Sequence, residues 1–178
     1  MTNQLKLAAI SGALLTVLSN FALADTPTAP ALMSSQWAAQ ACDAWNKTPE
    51  LTTGLGGKWM GNNLNRGYKI IHMYRSDCSD KFQVELRLEP KDGKAICTYG
   101  GKVVTQKLNP SADYLMYATT ERWHQMGAGE YGPMKAMMFG RLEFVGPKWE
   151  AMTVMGPFAQ FLLLAGKVPS NESVCPTQ

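Results

Sequence analysis

The sequence predicts an α+β domain with a single antiparallel or mixed sheet of about five strands and helices covering one face. Strand-like segments dominate residues 68–104, whereas most helix-like segments follow them. Strands grouped apart from helices are typical of α+β folds. Phe82, Val84, Leu86 and Leu88 also alternate with polar residues, as expected for a strand with one face on a core and one in water.

The first 24 residues have the features of a cleavable secretory signal. Lys6 is the only charged residue before Asp25, and the apolar stretch 7–18 lies between them. This stretch is too short to cross ~30 Å of hydrocarbon, which takes roughly 20 apolar residues. Ala22-Leu23-Ala24 then supplies the small residues at which a signal peptidase cleaves. A permanent N-terminal anchor remains the alternative.

We therefore predict a signal peptide at 1–24, an irregular leader at 25–35 and one domain at 36–178, located in the periplasm or secreted. Removing residues 1–24 from the 178-residue chain leaves 154 residues, enough to bury a core. The formal net charge of the whole chain is only +3, and no basic run with interleaved aromatic residues occurs. Nucleic acid is therefore not a predicted partner.

All four cysteines lie after the predicted signal, and none forms a C-x-x-C pair. An even number of cysteines in an exported chain predicts disulfides. Three pairings are possible, and we favour Cys42 with Cys175 and Cys78 with Cys97.

In the N-terminal part of the domain, the sequence predicts one helix and a long loop. Residues 36–45 have apolar side chains at helical spacing, with Ser34 or Ser35 as the N-cap and Thr48-Pro49 ending the helix. Residues 51–67 contain five glycines and no sustained period, which predicts a loop.

The predicted strands follow. The first covers residues 68–74, and turn residues at 76–80 separate it from the alternating strand 82–88. Asp92-Gly93 suits a two-residue hairpin turn, because both positions favour positive φ. The third strand covers 94–99 and resumes at 103–104, and the fourth covers 113–118.

In the C-terminal part of the domain, the sequence predicts two helical segments, one before and one after a fifth strand. Residues 121–128 form a helix behind a Thr119 or Thr120 cap, and residues 139–145 form the strand. Residues 149–165 are helical, with a break expected at Gly156-Pro157.

Few residues have the pattern of a catalytic or metal site. His72 and His124 are the only histidines, and no H-E-x-x-H or G-x-S-x-G motif occurs. The G-x-G-x-x-G string at 127–132 follows a helix and runs into Pro133, which is the wrong context for a dinucleotide site. We therefore predict no enzyme activity, no cofactor and no metal.

Methionine is concentrated in the second half of the chain, where seven of the eleven methionines lie between residues 116 and 155. Such flexible, polarizable side chains suit a cavity that adapts to a large apolar ligand. An ordinary core is the alternative interpretation. Copper binding is disfavoured, because these methionines lie among Phe, Leu and Trp residues rather than in a polar cluster.

The order of features from Ala112 to the last helix carries a resemblance. An Asp-led strand at 113–119 precedes a helix at 121–126, a Gly-Glu-Tyr-Gly-Pro turn at 129–133 and a segment at 138–146 that contains Gly-Arg-Leu and ends in glycine. This order resembles the C-terminal half of the sterol carrier protein (sterol transfer) family. The export signal, the four cysteines and the Gly-rich loop depart from the usual family pattern.

The resemblance implies an apolar tunnel between the sheet and the helices that takes a sterol or a lipid tail. His124 or Tyr131 is the expected polar contact. The expected lining residues are Trp123, Met126, Met134, Met137, Met138, Phe139, Met152, Met155, Phe158 and Leu162.

We thus expect an exported, non-enzymatic lipid-binding or lipid-transfer protein whose partners are an apolar small molecule and, transiently, a membrane. The oligomeric state stays open. One alternative is an accessory interaction protein of a periplasmic complex, with a filled core and an exposed apolar patch. Another is a small enzyme in which His72, His124 and Glu121 act on one shared ligand.

Overall fold

The structure is a computed structural model that describes residues 29–177, so the predicted signal at 1–24 and the start of the leader lie outside the described residues. A 3-10 helix lies at Asp80–Phe82. The helices are α1 (Ser35–Asn46), α2 (Pro49–Thr52), α3 (Lys58–Gly61), α4 (Thr120–Gly127), α5 (Pro133–Met138), α6 (Lys148–Thr153) and α7 (Met155–Lys167). The strands are β1 (Lys69–Arg75), β2 (Val84–Lys91), β3 (Lys94–Lys102), β4 (Tyr114–Ala118) and β5 (Glu143–Val145).

The five strands form one sheet in the order β3-β2-β1-β4-β5. Strand β1 pairs antiparallel with β2 and parallel with β4, and the β2–β3 and β4–β5 pairs are antiparallel. The parallel pair arises because the chain leaves the β3 edge and returns to the middle of the sheet before β4. The predicted α+β class with a mixed five-stranded sheet is confirmed.

Helices cover one face of this sheet. Helix α1 packs on β3, and α7 packs against α4 and α2. The α1–β3 contact requires glycine at position 100, because a Cβ there would collide with the carbonyl oxygen of Ala38. Ser34 caps α1 by accepting from the amide of Trp37, and Thr119 caps α4 in the same way. Both caps are among the predicted alternatives.

Two segments differ from the prediction because tertiary packing, and not the local sequence pattern, determines their structure. Residues 51–67 are not one loop, because α2 ends and α3 forms there. Leu51 and Trp59 of these helices and Leu55 between them are buried. Residues 29–34 are also more than a leader, because Leu32 and Met33 are fully buried and Ala31 pairs with Asn171.

The C-terminal part also departs from the prediction. The fifth strand begins at Glu143 rather than at Phe139, since α5 extends to Met138 and Phe139 is its C-cap. The break between α6 and α7 falls at Val154 instead of Gly156-Pro157. Pro157 lies in the first turn of α7, where a missing N–H removes no helical hydrogen bond.

The burial predicted for the alternating strand is correct on one face of β2 and wrong on the other. Val84, Leu86 and Leu88 are buried as predicted, but Glu85 is fully buried as well. The segment after β3 crosses this second face, and the amides of Val104 and Thr105 donate to the Glu85 carboxylate at 3.1 and 2.7 Å. Phe82 belongs to the 3-10 helix and not to the strand. The predicted hairpin is confirmed by positive φ angles at the turn, 51° at Asp92 and 73° at Gly93.

The favoured disulfide pairing is wrong. The structure joins Cys42 to Cys97 and Cys78 to Cys175. Packing of α1 on β3 brings the first pair together. The second pair forms because the C-terminal tail returns to the end of β1, where Arg75 donates to two carbonyl oxygens of the tail.

Within residues 29–177, no helix combines the length and apolar character needed to cross a membrane.

Peptide mapping under non-reducing conditions should recover Cys42 linked to Cys97 and Cys78 linked to Cys175. The second bridge spans a sequence separation of 97 residues. Replacing Cys78 and Cys175 together by serine should therefore lower the free energy of unfolding by about 4–5 kcal/mol, because the unfolded chain gains loop entropy. Recovery of a Cys78–Cys97 peptide would contradict the packing described here.

Replacing Glu85 by Gln should destabilise the protein in a pH-dependent way. Burial raises the pKa of Glu85, but hydrogen bonds from His72, Thr105 and Val104 outweigh it, so the pKa is lowered overall. This carboxylate thus contributes stability that is full above the ordinary glutamate pKa of about 4.3 and is lost as pH falls through the lowered value.

We expect Glu85→Gln to cost about 1–3 kcal/mol at pH 7 and less near pH 3, measured by urea unfolding. The control is Glu89→Gln, whose side chain is 39% exposed. Its effect should stay below about 1 kcal/mol at either pH. A Glu85→Gln penalty that does not shrink on acidification would refute the assignment.

Candidate functional site

Six aromatic side chains form a closed circuit of ring contacts between the sheet and the helices. Each ring contacts the next, with centroids 5.4–6.4 Å apart, and the last returns to the first. We call this set the aromatic circuit: Trp45, Trp59, Tyr114, Phe144, Phe158 and Phe161. Its members come from α1, α3, β4, β5 and α7, so it joins both layers of the fold.

The aromatic circuit surrounds an interior cavity of about 20 Å³. That volume holds about one water-sized sphere, which is far less than an acyl chain or a sterol needs. The other lining residues are Leu55, Ile71, Met116, Ala151 and Val154. The space between sheet and helices is therefore apolar and nearly filled.

A buried polar cluster lies against one side of the aromatic circuit. Lys69 is fully buried, and its Nζ donates to Glu150 Oε2 at 2.6 Å and to the carbonyl oxygens of Trp59 and Asn62, each at 3.1 Å. The Tyr114 hydroxyl donates to the same Glu150 oxygen and accepts from Trp59 Nε1 at 2.8 Å. Lys69 Nζ also lies 4.5 Å from the ring centroid of Trp59 and 5.2 Å from that of Tyr114.

The electrostatics of this cluster depend on Glu150. Burial lowers the pKa of Lys69, and the hydrogen bond and charge of Glu150 oppose that shift. Burial, together with the Glu150 hydrogen bond and charge, raises the pKa of Tyr114, which keeps its hydroxyl protonated as a donor. A buried ammonium group is costly unless an anion compensates it, so the carboxylate of Glu150 compensates the charge of Lys69 beside the aromatic circuit.

A surface groove of about 270 Å³ is lined in part by α6. We call it the Met groove, lined by Met134, Met137, Met138, Gly140, Leu142, Glu143, Phe144, Lys148 and Met152. Met138 is 71% exposed, and Trp149 on α6 is 81% exposed. Phe144 lines both the Met groove and the interior cavity. Helix α6 contributes Ala151 to the cavity and Met152 to the groove, and thus borders both.

The predicted lining residues do not meet in one cavity. Phe158 lines the interior cavity, and Met134, Met137, Met138 and Met152 line the Met groove. The remaining five lie elsewhere. Met126 and Leu162 line a second groove of about 160 Å³. Trp123 is buried in the core, Met155 is partly buried and packs against the core, and Phe139 is 69% exposed.

The polar groups suggested by the sequence lie away from the interior cavity. His124 is largely exposed and pairs with Glu172, and the Tyr131 hydroxyl contacts Gln125. His72 pairs with the buried Glu85, so the two histidines have separate carboxylate partners. Among residues 29–177, no three His, Cys, Asp or Glu side chains are grouped to hold a metal ion.

Sequence reasoning missed the polar cluster and most of the aromatic circuit. Trp59 falls in a segment with no periodic pattern, and Lys69 and Glu150 are 81 residues apart. No local signal joins such residues. Phe161 lies within an apolar stretch whose buried face could have been proposed from helical spacing.

The chain is similar to one protein family in sequence and to several solved structures in fold. The model of the SCP-2 sterol transfer family matches residues 38–159. The solution structure of a conserved hypothetical protein from Thermus thermophilus is similar, with a TM-score of 0.51 and 20% identity, covering 81% of this chain and 96% of that chain. A crystal structure of sterol carrier protein 2 is similar with a TM-score of 0.53 and 18% identity, covering 77% and 98% respectively. No curated protein sequence has significant similarity to the chain.

Replacing Phe161 by Ala should open the aromatic circuit and enlarge the interior cavity. We expect a loss of about 3–5 kcal/mol in the free energy of unfolding, from lost burial and the cavity left behind. The matched control is Phe139→Ala, an exposed aromatic residue, which should change stability by less than about 0.5 kcal/mol. Equal effects of the two variants in urea unfolding would contradict the structure.

Proposed function

The chain belongs to the SCP-2 sterol transfer family, and we propose that it is an exported, non-enzymatic protein that binds or transfers a lipid. The family fold is in general a lipid-carrier fold without chemistry of its own. The ligand class that we propose is a sterol-like molecule or an acyl chain, held between the sheet and helices α6 and α7.

One observation carries the proposal: a single short helix borders both an apolar interior cavity, through Ala151, and an exposed methionine-rich groove, through Met152. Helix α6 has six residues, and only Ala151 among them is buried. Moving α6 would join the Met groove to the interior cavity and make room for a chain. Each CH₂ group transferred from water would contribute about 0.8 kcal/mol, so ten carbons would contribute roughly 8 kcal/mol to binding.

Export rests on two features. The predicted signal covers residues 1–24, and two disulfides join the cysteines of the part that follows it. Disulfides persist in oxidising compartments such as the periplasm and are rare in the cytosol. We propose that the mature domain starts near the predicted leader, because Leu32 and Met33 are buried in it, and that it contacts a membrane only transiently.

A second candidate function is that of an accessory interaction protein, and the following observation favours it. The interior cavity is too small for an acyl chain, while Met138, Phe139 and Trp149 are 71%, 69% and 81% exposed. Exposed apolar patches of this kind also mark protein interfaces. In this interpretation the Met groove binds a partner protein and the core stays filled.

Binding of a fluorescent fatty acid or sterol separates the two candidates. The carrier proposal predicts saturable binding by the purified protein and a lipid in its organic-solvent extract. Met138→Glu should weaken probe binding by about tenfold or more, because it places a negative charge among the methionine side chains of the Met groove. Val174→Glu is the control, since Val174 is an exposed apolar residue outside the groove. An empty extract together with no probe binding would reject the carrier and leave the interaction protein.

A further inference from the structure

Four methionine side chains line one surface groove. Met134, Met137 and Met138 lie on α5, and Met152 lies on α6. All four line the Met groove. Met138 is 71% exposed, and Met134 and Met152 are each 42% exposed, whereas a methionine of the sheet such as Met73 is buried. The methionines of the groove are therefore open to a solute, unlike those of the core.

The surroundings of these methionines differ from those that the sequence indicates. Copper binding is disfavoured by the sequence only if the methionines lie in an apolar core. The structure places them beside Glu143 and Lys148, two exposed charged residues that line the same groove. Leu142 and Phe144, which are buried, line it as well. The Met groove is thus a partly polar cluster of thioethers at the surface, and the objection to copper does not apply to it.

The spacing of the methionines allows several sulfur atoms to reach one ion. Positions 134, 137 and 138 are related as i, i+3 and i+4, which places their side chains on one face of a helix with Cβ atoms about 5–6 Å apart. Met152 reaches the same groove from α6. The methionine side chain is unbranched and has three rotatable bonds. Three or four thioether sulfur atoms can therefore converge on a single metal ion.

The chemistry of this ligand set selects one kind of metal. Thioether sulfur is a soft, uncharged ligand and suits Cu(I), whereas hard cations such as Mg²⁺ prefer oxygen ligands. The cysteines cannot compete for a soft metal, because all four are in disulfides. The two histidines, His72 and His124, pair with Glu85 and Glu172 and lie outside the groove.

We propose that the Met groove is a Cu(I) site in which the thioethers of its four methionines are the ligands. Neutral sulfur ligands leave the charge of the ion at +1, and the carboxylate of Glu143 in the same groove compensates that charge. Lys148 carries the opposite charge, but its exposed side chain can extend into solvent. This inference goes beyond lipid binding and does not depend on it.

The test follows the methionine methyl resonances of ¹³C-labelled protein during anaerobic titration with Cu(I), supplied as its acetonitrile complex. A parallel titration with Ag(I), a soft ion of the same charge, requires no exclusion of oxygen. Both ions should shift the methyl resonances of the four groove methionines and saturate at one ion per chain. The resonances of the buried Met73 and Met116 should not move. Mg²⁺ should shift none of them.

Replacing Met134 and Met138 together by leucine removes two ligands and keeps the volume and apolar character of the side chains. Loss of a mere supporting contact to a metal ligand costs about 10–100-fold in affinity, so this double variant should bind Cu(I) about a hundredfold more weakly or worse. The matched control replaces Met126 and Met155 by leucine, since both lie outside the Met groove. It should bind Cu(I) as the wild-type protein does.

An absence of shifts with Cu(I) and Ag(I) would overturn the inference. Unchanged Cu(I) affinity in the Met134→Leu, Met138→Leu double variant would overturn it as well, because the ion would then bind elsewhere on the chain. Neither result bears on lipid binding, which the fluorescent probes measure separately.

Discussion

The aromatic circuit is the constraint on which the rest of this structure depends. Trp45, Trp59 and Phe161 bring α1, α3 and α7 onto the same small volume above the sheet. Tyr114 and Phe144 extend that contact to β4 and β5. Large rings at these separations bury much apolar surface and fix the orientation of each ring relative to its neighbours. They therefore hold the helical layer and the sheet together and leave an interior cavity of only about 20 Å³.

That filled interior defines what a carrier of this fold must do to accept a ligand. Room can come from movement of a covering element, and α6 is a short covering helix with one buried residue, Ala151. Its Glu150 carboxylate accepts hydrogen bonds from Lys69 and from Tyr114, which lines the cavity. The buried ammonium group of Lys69 requires such an anion, because an uncompensated buried charge is strongly destabilising.

The sequence predicted those parts of the fold that depend on local pattern. The buried positions of β2 follow from period-two alternation, and the Asp92-Gly93 turn follows from backbone preference. The order of elements after Ala112 was enough to indicate the family. Glu85 was misassigned because a segment some 20 residues further along the chain covers it.

The candidate site was predicted less well, for physical reasons. The apolar residues of 134–139 could face either inward or outward, and most of them line a surface groove or are exposed. The true wall of the cavity combines residues from distant segments, such as Trp59 and Tyr114, which are 55 residues apart. The disulfide pairing likewise depends on how α1 and the C-terminal tail pack, which no spacing of cysteines reveals.

The central claim is that an apolar chain occupies the space enclosed by the aromatic circuit. Nuclear Overhauser contacts between ¹³C-labelled palmitate and the protein measure this directly. Our account predicts contacts from the chain methylenes to the ring protons of Phe158 and Phe161. Contacts confined to the methyl groups of Met134 and Met138 would place the chain in the Met groove alone and contradict it.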